Sequence, residues 1–505
     1  MFDIRSPQPR IKFLSTDKGT SNNLANYVVS FQTQKHMNNL AGMFQMNLLP
    51  RFSSTNNVSE PDALSFCYKN IHPMDLISIG IEEDGGIMLG IVDNVFKTKM
   101  NYNNQVRRGI TVRGRDFGKL LIEDNTLYVP SASLAFIHKL KLKLMRYGII
   151  NDDQDISSHP LVNMSHANRA PKAFDQEGTE IGRTFINRTP KEAIEYVLKS
   201  LTSLRLGYDF DGERNMPAYK LIESNISHRD GDLIAVESHN RFNGSIANFL
   251  YNLIDRDFYE IFIETYTENR SVLIVRPKPF DRDGDKVMTW SGKQKQITKD
   301  DDHVWDSLKT LLDKKEYHEI EEKDIIQSGM GVSDYEAFSL IIHNTRQVLM
   351  GQVMESFGEF FPLVDMFALQ KYGLRHLKSN TQLASFQFKD DGNIKDQDKV
   401  EFRLLGNRDR LWNWNRYNTI LESGNVTVRG HDYYKLGDRI YLKDELAKNG
   451  ERGILAYCVG YSQRWQWGQN FLTTLNLIRG ENGKLLNDFK ELTKDTTIRA
   501  KAQVS

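Results

Sequence analysis

The chain has 505 residues, of which 39% are hydrophobic and 26% charged; this is typical of an ordered globular protein with about three or four domains. Lysine and arginine together number 66, as do aspartate and glutamate, and this balance argues against a dedicated DNA-binding protein. The only two cysteines, Cys67 and Cys458, exclude a disulfide framework and are expected to pack as small apolar residues.

The amino-terminal sequence MFDIRSPQPRIKF carries charges and two prolines where a signal peptide needs an apolar segment. No window of the sequence approaches the 18 or so apolar, uncharged residues of a membrane-spanning helix. We therefore expect a protein that is made in the cytoplasm and does not span a membrane.

Short, β-branched or alternating stretches, separated by glycine, asparagine or proline, predict five strands in the first 120 residues, at 26–34, 42–50, 75–81, 86–96 and 108–115. Strands at this spacing indicate a small barrel or sandwich. An Asp-Gly-Gly turn between the third and fourth predicts that these two strands form a hairpin.

The middle of the chain mixes helical and strand patterns. Thr189, Pro190 and Glu192 form a capping-box sequence that predicts a helix, and residues 136–148 fit a strand or a helix equally. A second helix is predicted at 245–254, followed by a β-hairpin formed by FYEIFIET and SVLIVRP.

Further along, residues 301–316 have a helical pattern, 335–353 have strand composition and 389–399 resemble an exposed loop. Residues 400–480 are expected to be β-rich, with strands in GDRIYLKD, GILAYCVGYSQRW and NFLTTLNLIRG. The charged tail after Gly480 is expected to be helical or frayed.

The motif V/I-T-V-R-G occurs twice, around Thr111 and Thr427. The residues that follow the two copies differ, so the motif does not mark equivalent positions. A shifted alignment matches Asp75 with Asp438, Ile77 with Ile440, Gly86 with Gly453, and Arg113-Gly114 with Arg479-Gly480. This frame suggests two β-domains of similar plan, although strand-loop-strand segments of unrelated origin can match as loosely.

No motif in the sequence indicates a catalytic, cofactor-binding or metal-binding residue. Two acidic clusters, from Asp209 and Asp281, resemble calcium loops, but Lys220 and Gly292 occupy the twelfth position, where a glutamate is needed. We interpret both clusters as turns.

His159 and His166 lack a third ligand nearby, and phosphate loops, dinucleotide fingerprints and nucleophile elbows are absent from the sequence. The absence of these motifs lowers the expectation of an enzyme without excluding one, and the sequence assigns no interface residue. Pairs of carboxylates suited to glycoside hydrolysis remain an open alternative.

An ordered set of motifs resembles the baseplate hub proteins of phage tails, especially contractile tails, and the related amino-terminal part of type VI secretion spike proteins. The motifs run from about residue 70 to 480: GIMLGIVDNVF, VRGRDFGKLL, FNGSIANFLYNLIDRDFYEIFIET, YHEIEEKDIIQ, ALQKYGLRHL and VTVRGHDYYKLGDRIYL. The family's final T-x-L-x-L-x-R-G hairpin stands intact from Thr473 to Gly480, whereas Gln463 replaces a histidine of many relatives.

The resemblance implies a multidomain, β-rich α+β fold in which two tube-type antiparallel β-barrels enclose inserted α+β domains. The implied division is a first barrel at 1–125, an inserted α+β domain at 126–237 and a second α+β segment at 238–332. The second barrel begins within 333–399, a range that also includes an inserted loop, and continues at 400–482, before a charged tail at 483–505. The barrel is expected to combine a strand segment near 333–353 with 400–482.

The resemblance further implies a homotrimeric structural hub in the virion, assembled in the host cytoplasm and without cofactor. It would join the sixfold tail tube to a separate threefold spike protein, contact other baseplate proteins and let DNA pass without specific binding. The rival function is a tail-associated peptidoglycan hydrolase, and a third is an effector-carrying hub of a secretion-like device.

Overall fold

The computed structural model describes residues 7–14, 21–23, 25–49, 68–81, 85–102, 105–128, 172–174, 180–183, 189–202, 206–207, 216–217, 222–226, 233–234, 242–267, 270–278, 286–288, 305–307, 317–349, 352–355, 362–381, 383–384, 387–388, 394–395, 397–443, 453–481 and 497–499. In these residues the chain is β-rich, with one 13-stranded sheet, mostly antiparallel, and few helices. This confirms the β-rich class expected from the sequence.

The strands up to residue 307 are β1 (Pro9–Leu14), β2 (Ser21–Asn23), β3 (Val28–His36), β4 (Asn39–Leu48), β5 (Leu76–Ile81), β6 (Gly85–Tyr102), β7 (Gln105–Asp116), β8 (Asn125–Tyr128), β9 (Lys172–Phe174), β10 (Glu180–Arg183), β11 (Leu206–Gly207), β12 (Met216–Pro217), β13 (Ile222–Ile226), β14 (Leu233–Ile234), β15 (Phe242–Ser245), β16 (Tyr259–Thr267), β17 (Arg270–Pro277), β18 (Lys286–Met288) and β19 (Trp305–Ser307).

The later strands are β20 (His318–Ile320), β21 (Ile325–Gly331), β22 (Leu340–Leu349), β23 (Gln352–Glu355), β24 (Leu363–Asp365), β25 (His376–Thr381), β26 (Leu383–Ala384), β27 (Gln387–Phe388), β28 (Ile394–Lys395), β29 (Glu422–Arg429), β30 (Arg439–Leu442), β31 (Ile454–Gln466), β32 (Leu472–Glu481) and β33 (Thr497–Arg499). The α-helices are α1 (Gly118–Glu123), α2 (Pro190–Thr202), α3 (Ile246–Leu253), α4 (Met366–Tyr372) and α5 (Gln397–Asn415).

The large sheet has the strand order β2-β1-β5-β6-β7-β4-β3-β31-β32-β29-β21, with β30 beside β31 and β20 beside β30. The eight strands from β6 to β21 in this order form what we call the wall. Each neighbouring pair in the wall is antiparallel. Because seven antiparallel steps separate them, β6 and β21 run in opposite directions.

The sheet consists of two halves with the same strand order. The first half reads β5-β6-β7-β4-β3 and the second β30-β31-β32-β29-β21, with matching order along the chain. Each half carries a β-bulge at the same place, between Val92 and Asn94 in β6 and between Cys458 and Gly460 in β31. The repeat suggested by the shifted alignment is therefore present as a repeat of topology.

The turn before the third strand of each half repeats in atomic detail. Asp75 accepts a hydrogen bond from the backbone N–H of His72 at 2.7 Å, and Asp438 accepts one from that of Lys435 at 2.7 Å. The residue before each aspartate has a left-handed backbone, with φ of 77° at Met74 and 85° at Gly437. These matched turns support the predicted equivalence of Asp75 and Asp438.

The predicted equivalence of Arg113 with Arg479 is wrong by three residues. At the matched bulges, Arg113 lies opposite Asn94, and Asn476 lies opposite Gly460. Asn476 is therefore the counterpart of Arg113, because register follows strand pairing and not the identity of a dipeptide. The strand that completes the second half is β21, which precedes the expected segment 333–353; β22 belongs to a separate sheet.

Three clusters of buried apolar side chains hold the described parts together. One fills the interior of the first half and includes Trp465 of β31, and another fills the second half and includes Phe262 of β16. The third joins α1, α2, α3, the β16–β17 hairpin and the end of α5. The β16–β17 hairpin thus packs against both the helices and the second half.

The capping box predicted for α2 is confirmed. The side chain of Thr189 accepts from the N–H of Glu192 at 3.2 Å, and the Glu192 carboxylate accepts from the N–H of Thr189 at 3.1 Å. Helix α3 begins after Ser245, whose hydroxyl accepts from the N–H of Asn248 at 3.2 Å. The hairpin predicted after it is β16–β17.

Two sequence expectations about helices are wrong where the structure describes them. Trp305–Ser307 forms a strand paired with β18 instead of a helix, because cross-strand pairing overrides the local helical pattern. Residues 397–415 form α5, although 389–399 were expected to be a loop and 400–480 to be β-rich. The tryptophans and asparagines of α5 have weak helix preference, and burial of Leu411, Trp412 and Trp414 compensates.

Candidate functional site: the polar face of the wall, its edges and its junction

One face of the wall is polar and the other is apolar. Alternate residues of β3 and β31, such as Phe31 and Trp465, are buried, whereas Gln32 and Arg464 between them are exposed. We call the exposed side the polar face. It comprises three rows of cross-strand neighbours: Phe96, Thr111, Asn47, Ser30 and Gln466; Asn94, Arg113, Gln45, Gln32 and Arg464; and Met43, Gln34, Ser462, Thr474, Thr427 and Gln327.

Neighbouring side chains on the polar face bond to one another across the strands. Thr111 donates to Asn47 at 2.9 Å, Asn47 donates to Ser30 at 3.0 Å, and Arg113 donates to Gln45 at 2.9 Å. Such cross-strand pairs stabilise a sheet and fix the directions of its side chains. The polar face is therefore an ordered surface of amides, hydroxyls and a few guanidinium groups.

The three rows contain arginines and no carboxylate. Just below the rows, Asp93 binds Arg115, with Oδ2 2.7 Å from Nε, and also binds Lys119 at 2.6 Å. Burial opposes the charge of Asp93, yet these two cations lower its pKa below the ordinary value. The described acid nearest the rows is thus neutralised by its own partners.

Both outer strands of the wall have edges without a strand partner among the described residues. Strand β5 pairs with β6 only as far as Ile91, so residues 94–102 of β6 pair on one side, with β7. Strand β21 pairs on one side, with β29, and most of its side chains are exposed. Unpaired edges of this length are sites where another strand can add.

The two halves of the sheet and the β16–β17 hairpin meet at one buried carboxylate, that of Glu264. It accepts from Lys35 of the first half at 3.1 Å, from the hydroxyl of Tyr461 at 2.9 Å and from the N–H of Leu436 at 3.0 Å. Burial opposes its ionisation, but Lys35 and Lys435 lower the pKa of Glu264. A charge held by three segments in this way specifies how they fit together.

Asp116 is the second carboxylate at this junction, and its environment differs. It lies 3.8 Å from Lys35 Nζ and accepts from the N–H of Gly118 at 2.9 Å. Burial raises the pKa of Asp116 to about 6, despite the attraction of Lys35. The junction thus contains one carboxylate whose pKa is lowered by its cations and one whose pKa is raised by burial to about 6.

Gln463, where many relatives of the resembled family have histidine, is buried between the two halves. Its amide donates to the carbonyl of His431 at 2.8 Å, and its carbonyl lies 3.4 Å from the hydroxyl of Thr33. The side chain therefore ties β31 to a loop of its own half and to β3 of the other, a structural role that needs no titratable ring.

The residues singled out from the sequence for possible chemistry lie mostly outside the described residues, namely Asp209, Asp281, His159, His166 and Cys67. The described cysteine, Cys458, is buried, and burial raises the pKa of its thiol well above the ordinary value; it packs as a small apolar residue, as expected. Within the described ranges, no group of three potential metal-binding side chains occurs. None of the described helices has the length and apolar character needed to cross a membrane.

Sequence reasoning found the strands of the wall but not the residues that make it a site. Glu264 and Lys35 looked like ordinary strand charges, and only the pairing of distant strands brings them together. Glu264 is one of two acids, with Glu260, in the otherwise mostly apolar stretch YEIFIETY, and this was the available signal.

Comparison with known proteins gives matches among solved structures alone. No family model matches the chain, and no curated protein sequence matches it either. A 43 kDa tail protein of prophage MuSo2 from Shewanella oneidensis shares 10% identity, with 93% of this chain and 98% of that one covered, at a TM-score of 0.46. A tail protein from Neisseria meningitidis shares 11% identity, with 94% and 97% covered, at a TM-score of 0.43.

A third matched structure is an E. coli component of the type VI secretion system, described as structurally similar to the T4 bacteriophage tail proteins gp27 and gp5. It shares 8% identity over 90% of this chain and 73% of that one, at a TM-score of 0.37. These three matched structures are thus two phage-type tail proteins and a component of the type VI secretion system.

Proposed function

We propose that the protein is the central hub of a phage-tail baseplate, a non-enzymatic homotrimer that joins the tail tube to a separate spike protein and lines the DNA conduit. The observation that carries the proposal is the wall: two halves of the same topology, side by side, with an open edge at each end. A chain with two equivalent halves can present six similar units from three copies, which suits a junction between sixfold and threefold partners.

The pairing within the chain suggests how copies would associate. Residues 460–466 of β31 pair with β3, and the matching part of β6, from Asn94 onward, has no such partner among the described residues. By the equivalence of the halves, β21 of a neighbouring copy would occupy that position. The antiparallel directions of β6 and β21 allow this pairing.

The polar face suits a passage for DNA. Its amides and hydroxyls can contact water and phosphate, while its few arginines are too sparse to hold the polymer by counterion release. The absence of carboxylates from its three described rows avoids strong repulsion. In this proposal the two tube-type barrels are built around the two halves, the inserted α+β domains keep the boundaries given above, and the protein resides in the virion. No feature among the described residues favours the hydrolase alternative.

Native mass spectrometry of the full-length protein tests the proposal. We expect a trimer, alone or after addition of a tail tube protein and a spike protein. Ile326→Lys, on the exposed edge of β21, should shift the trimer towards monomer, because a lysine on an edge strand opposes strand addition. Ile122→Lys, on the exposed face of α1, is the matched control and should leave the mass unchanged. A strict monomer under all these conditions would contradict the proposal.

A further inference from the structure

A cavity of about 730 Å³ lies where the β16–β17 hairpin, the end of α5 and the second half of the sheet meet. Its walls include Met37 of the β3–β4 turn, Glu260 of β16, Lys278 just after β17, and Trp414 of α5. Tyr335, in the loop after β21, stands at its rim and is 86% exposed. Its lining shares no residue with the three rows of the polar face or with the Glu264 carboxylate and its partners Lys35, Tyr461 and Leu436.

The cavity lining carries both charges, with Arg256, Lys278 and Arg479 against Asp257, Glu260 and Glu336. Behind the lining, Arg276 and Arg439 lie beside Tyr457. Arg276 donates to the Tyr457 hydroxyl at 2.9 Å and to Glu260 at 3.1 Å, and the same hydroxyl donates to Glu260 at 2.7 Å. The guanidinium of Arg439 lies 4.6 Å from the Tyr457 ring centroid. Glu260 therefore already accepts hydrogen bonds from Arg276 and Tyr457, and the guanidinium offsets its charge.

Arg479 forms another part of the wall. One of its nitrogens donates to the carbonyl of Trp414 at 2.6 Å and to Asn418 at 3.3 Å. Burial lowers the pKa of Arg479 to about 10, against the opposing effect of Glu481 and Glu336.

Lys278 is the cation that this arrangement leaves available. Its ammonium lies 5.8 Å from the Trp414 ring centroid, and it makes no hydrogen bond or ion pair with a described side chain. Burial lowers its pKa despite the nearby carboxylates of Asp257, Glu260 and Asp255. Asp257 already accepts a hydrogen bond from Ser379, so Lys278 retains donors that can bind an incoming anion.

The apolar surface around the rim favours a protein segment over a free ion as the ligand of the cavity. Val332, Tyr335 and Leu374 are all more than half exposed and lie on two loops joined by the Asp334–Arg375 ion pair, with 2.9 Å between Oδ2 and Nη2. A free anion gains nothing from such apolar surface, whereas residues that flank an acidic side chain can bury it.

We propose that this cavity binds the carboxylate of an acidic segment of a partner protein, with Lys278 as its counter-charge and Tyr335 packing against the flanking residues. An acidic binding partner is not part of the proposed hub function, and one copy of the chain supplies all the residues of the site. A failure of the binding test would therefore leave the trimer test untouched, and the reverse also holds.

Isothermal titration of the full-length protein tests the site. The probe is a capped peptide with four glutamates flanked by leucines, and the matched peptide carries glutamines instead. We expect saturable binding of the glutamate peptide alone. Lys278→Met should weaken it about tenfold or more, because a charge-assisted hydrogen bond is lost. Lys278→Arg should largely retain binding, and Lys323→Met, at a lysine that is 71% exposed, is the control and should bind normally.

Three outcomes would overturn the proposal: equal binding of the glutamine peptide, undiminished binding by a folded Lys278→Met variant, or equal affinity for acetate or inorganic phosphate. The last would identify a site for a free anion. If Lys278→Met does not fold, reductive ¹³C-methylation of the wild-type protein replaces it. The Lys278 methyl resonance must then move saturably when the glutamate peptide is added, and an unmoved resonance contradicts the site.

Discussion

The two halves of the sheet share a strand order, a bulge and a turn, yet they differ in what surrounds them. In the second half, the part of β31 beyond its bulge pairs with β3. In the first half, the corresponding part of β6 has an edge without a partner among the described residues. The same strand arrangement is thus paired on both sides in one half and, among the described residues, has an unpaired edge in the other.

The turns of the two halves show the same contrast at the scale of single residues. The left-handed position is a methionine in the first half, Met74, and a glycine in the second, Gly437. A Cβ at Gly437 would lie 1.8 Å from Arg276 of the β17 strand. Glycine is thus required where the inserted hairpin packs against the turn, and a side chain is tolerated in the other half.

The largest expected effect is at the junction that unites the halves. Glu264→Gln should lower the free energy of unfolding by about 3 kcal/mol, because Lys35 stays buried without its main counter-charge. Urea denaturation measures the change. Glu319→Gln, which breaks an exposed pair with Lys443, should cost less than about 1 kcal/mol. Equal losses for both variants would show that Glu264 does not hold the halves together.

Gly437→Ala should destabilise the protein by about 2 kcal/mol, through the left-handed backbone and the clash with Arg276. Gly373→Ala is the matched control, because its φ is 79° and the space around it is open. It should show the backbone cost alone, about 1 kcal/mol. The difference between the two melting curves measures how tightly the hairpin packs on the second half.

Asp116 should make stability depend on pH between about 4 and 6, the range between its ordinary and its folded pKa. Its folded pKa of about 6 lies above the ordinary 3.8, so the folded state holds its proton longer and stability falls as pH rises. The slope is at most about 1.4 kcal/mol per pH unit. Glu264, with its lowered pKa, has the opposite effect but at lower pH. Urea denaturation of wild type and Asp116→Asn across this range should show the slope in the wild type alone; parallel slopes would contradict the assignment.

The smallest expected effect is at the first-half turn. Met74→Gly should change the free energy of unfolding by less than about 1 kcal/mol, since relief of the left-handed backbone offsets the loss of a partly buried side chain. Thermal unfolding measures it. A large loss of stability would mean that the Met74 side chain is as necessary to its turn as glycine is at position 437. The two turns would then not differ in how strictly they require their residue.

Much of the wall could be predicted because its strands alternate on a half-buried sheet. The runs around Phe31, Val112 and Leu475 have this pattern, and all three residues are buried. The exact register could not be predicted. The alignment relied on the identical Arg-Gly pairs at 113 and 479, whereas the register depends on β-bulges, which leave no clear pattern in the sequence.

Helix α5 and the junction were harder to predict for a different reason. The burial of Leu411 and Trp414 depends on a tertiary surface supplied by distant elements, and the pairing of Lys35 with Glu264 joins positions more than 200 residues apart. Neither a local pattern nor an intrinsic preference reports such contacts.

The count of strands in the wall has a consequence for geometry. Eight is an even number, so any further copy added edge to edge meets the last strand in the same antiparallel sense, however many copies follow. Strand direction therefore places no restriction on ring size, and closure at a given number of copies must come from curvature. Within the chain the two halves join through the pairing of β3 with β31, so we expect the curvature to depend on this seam.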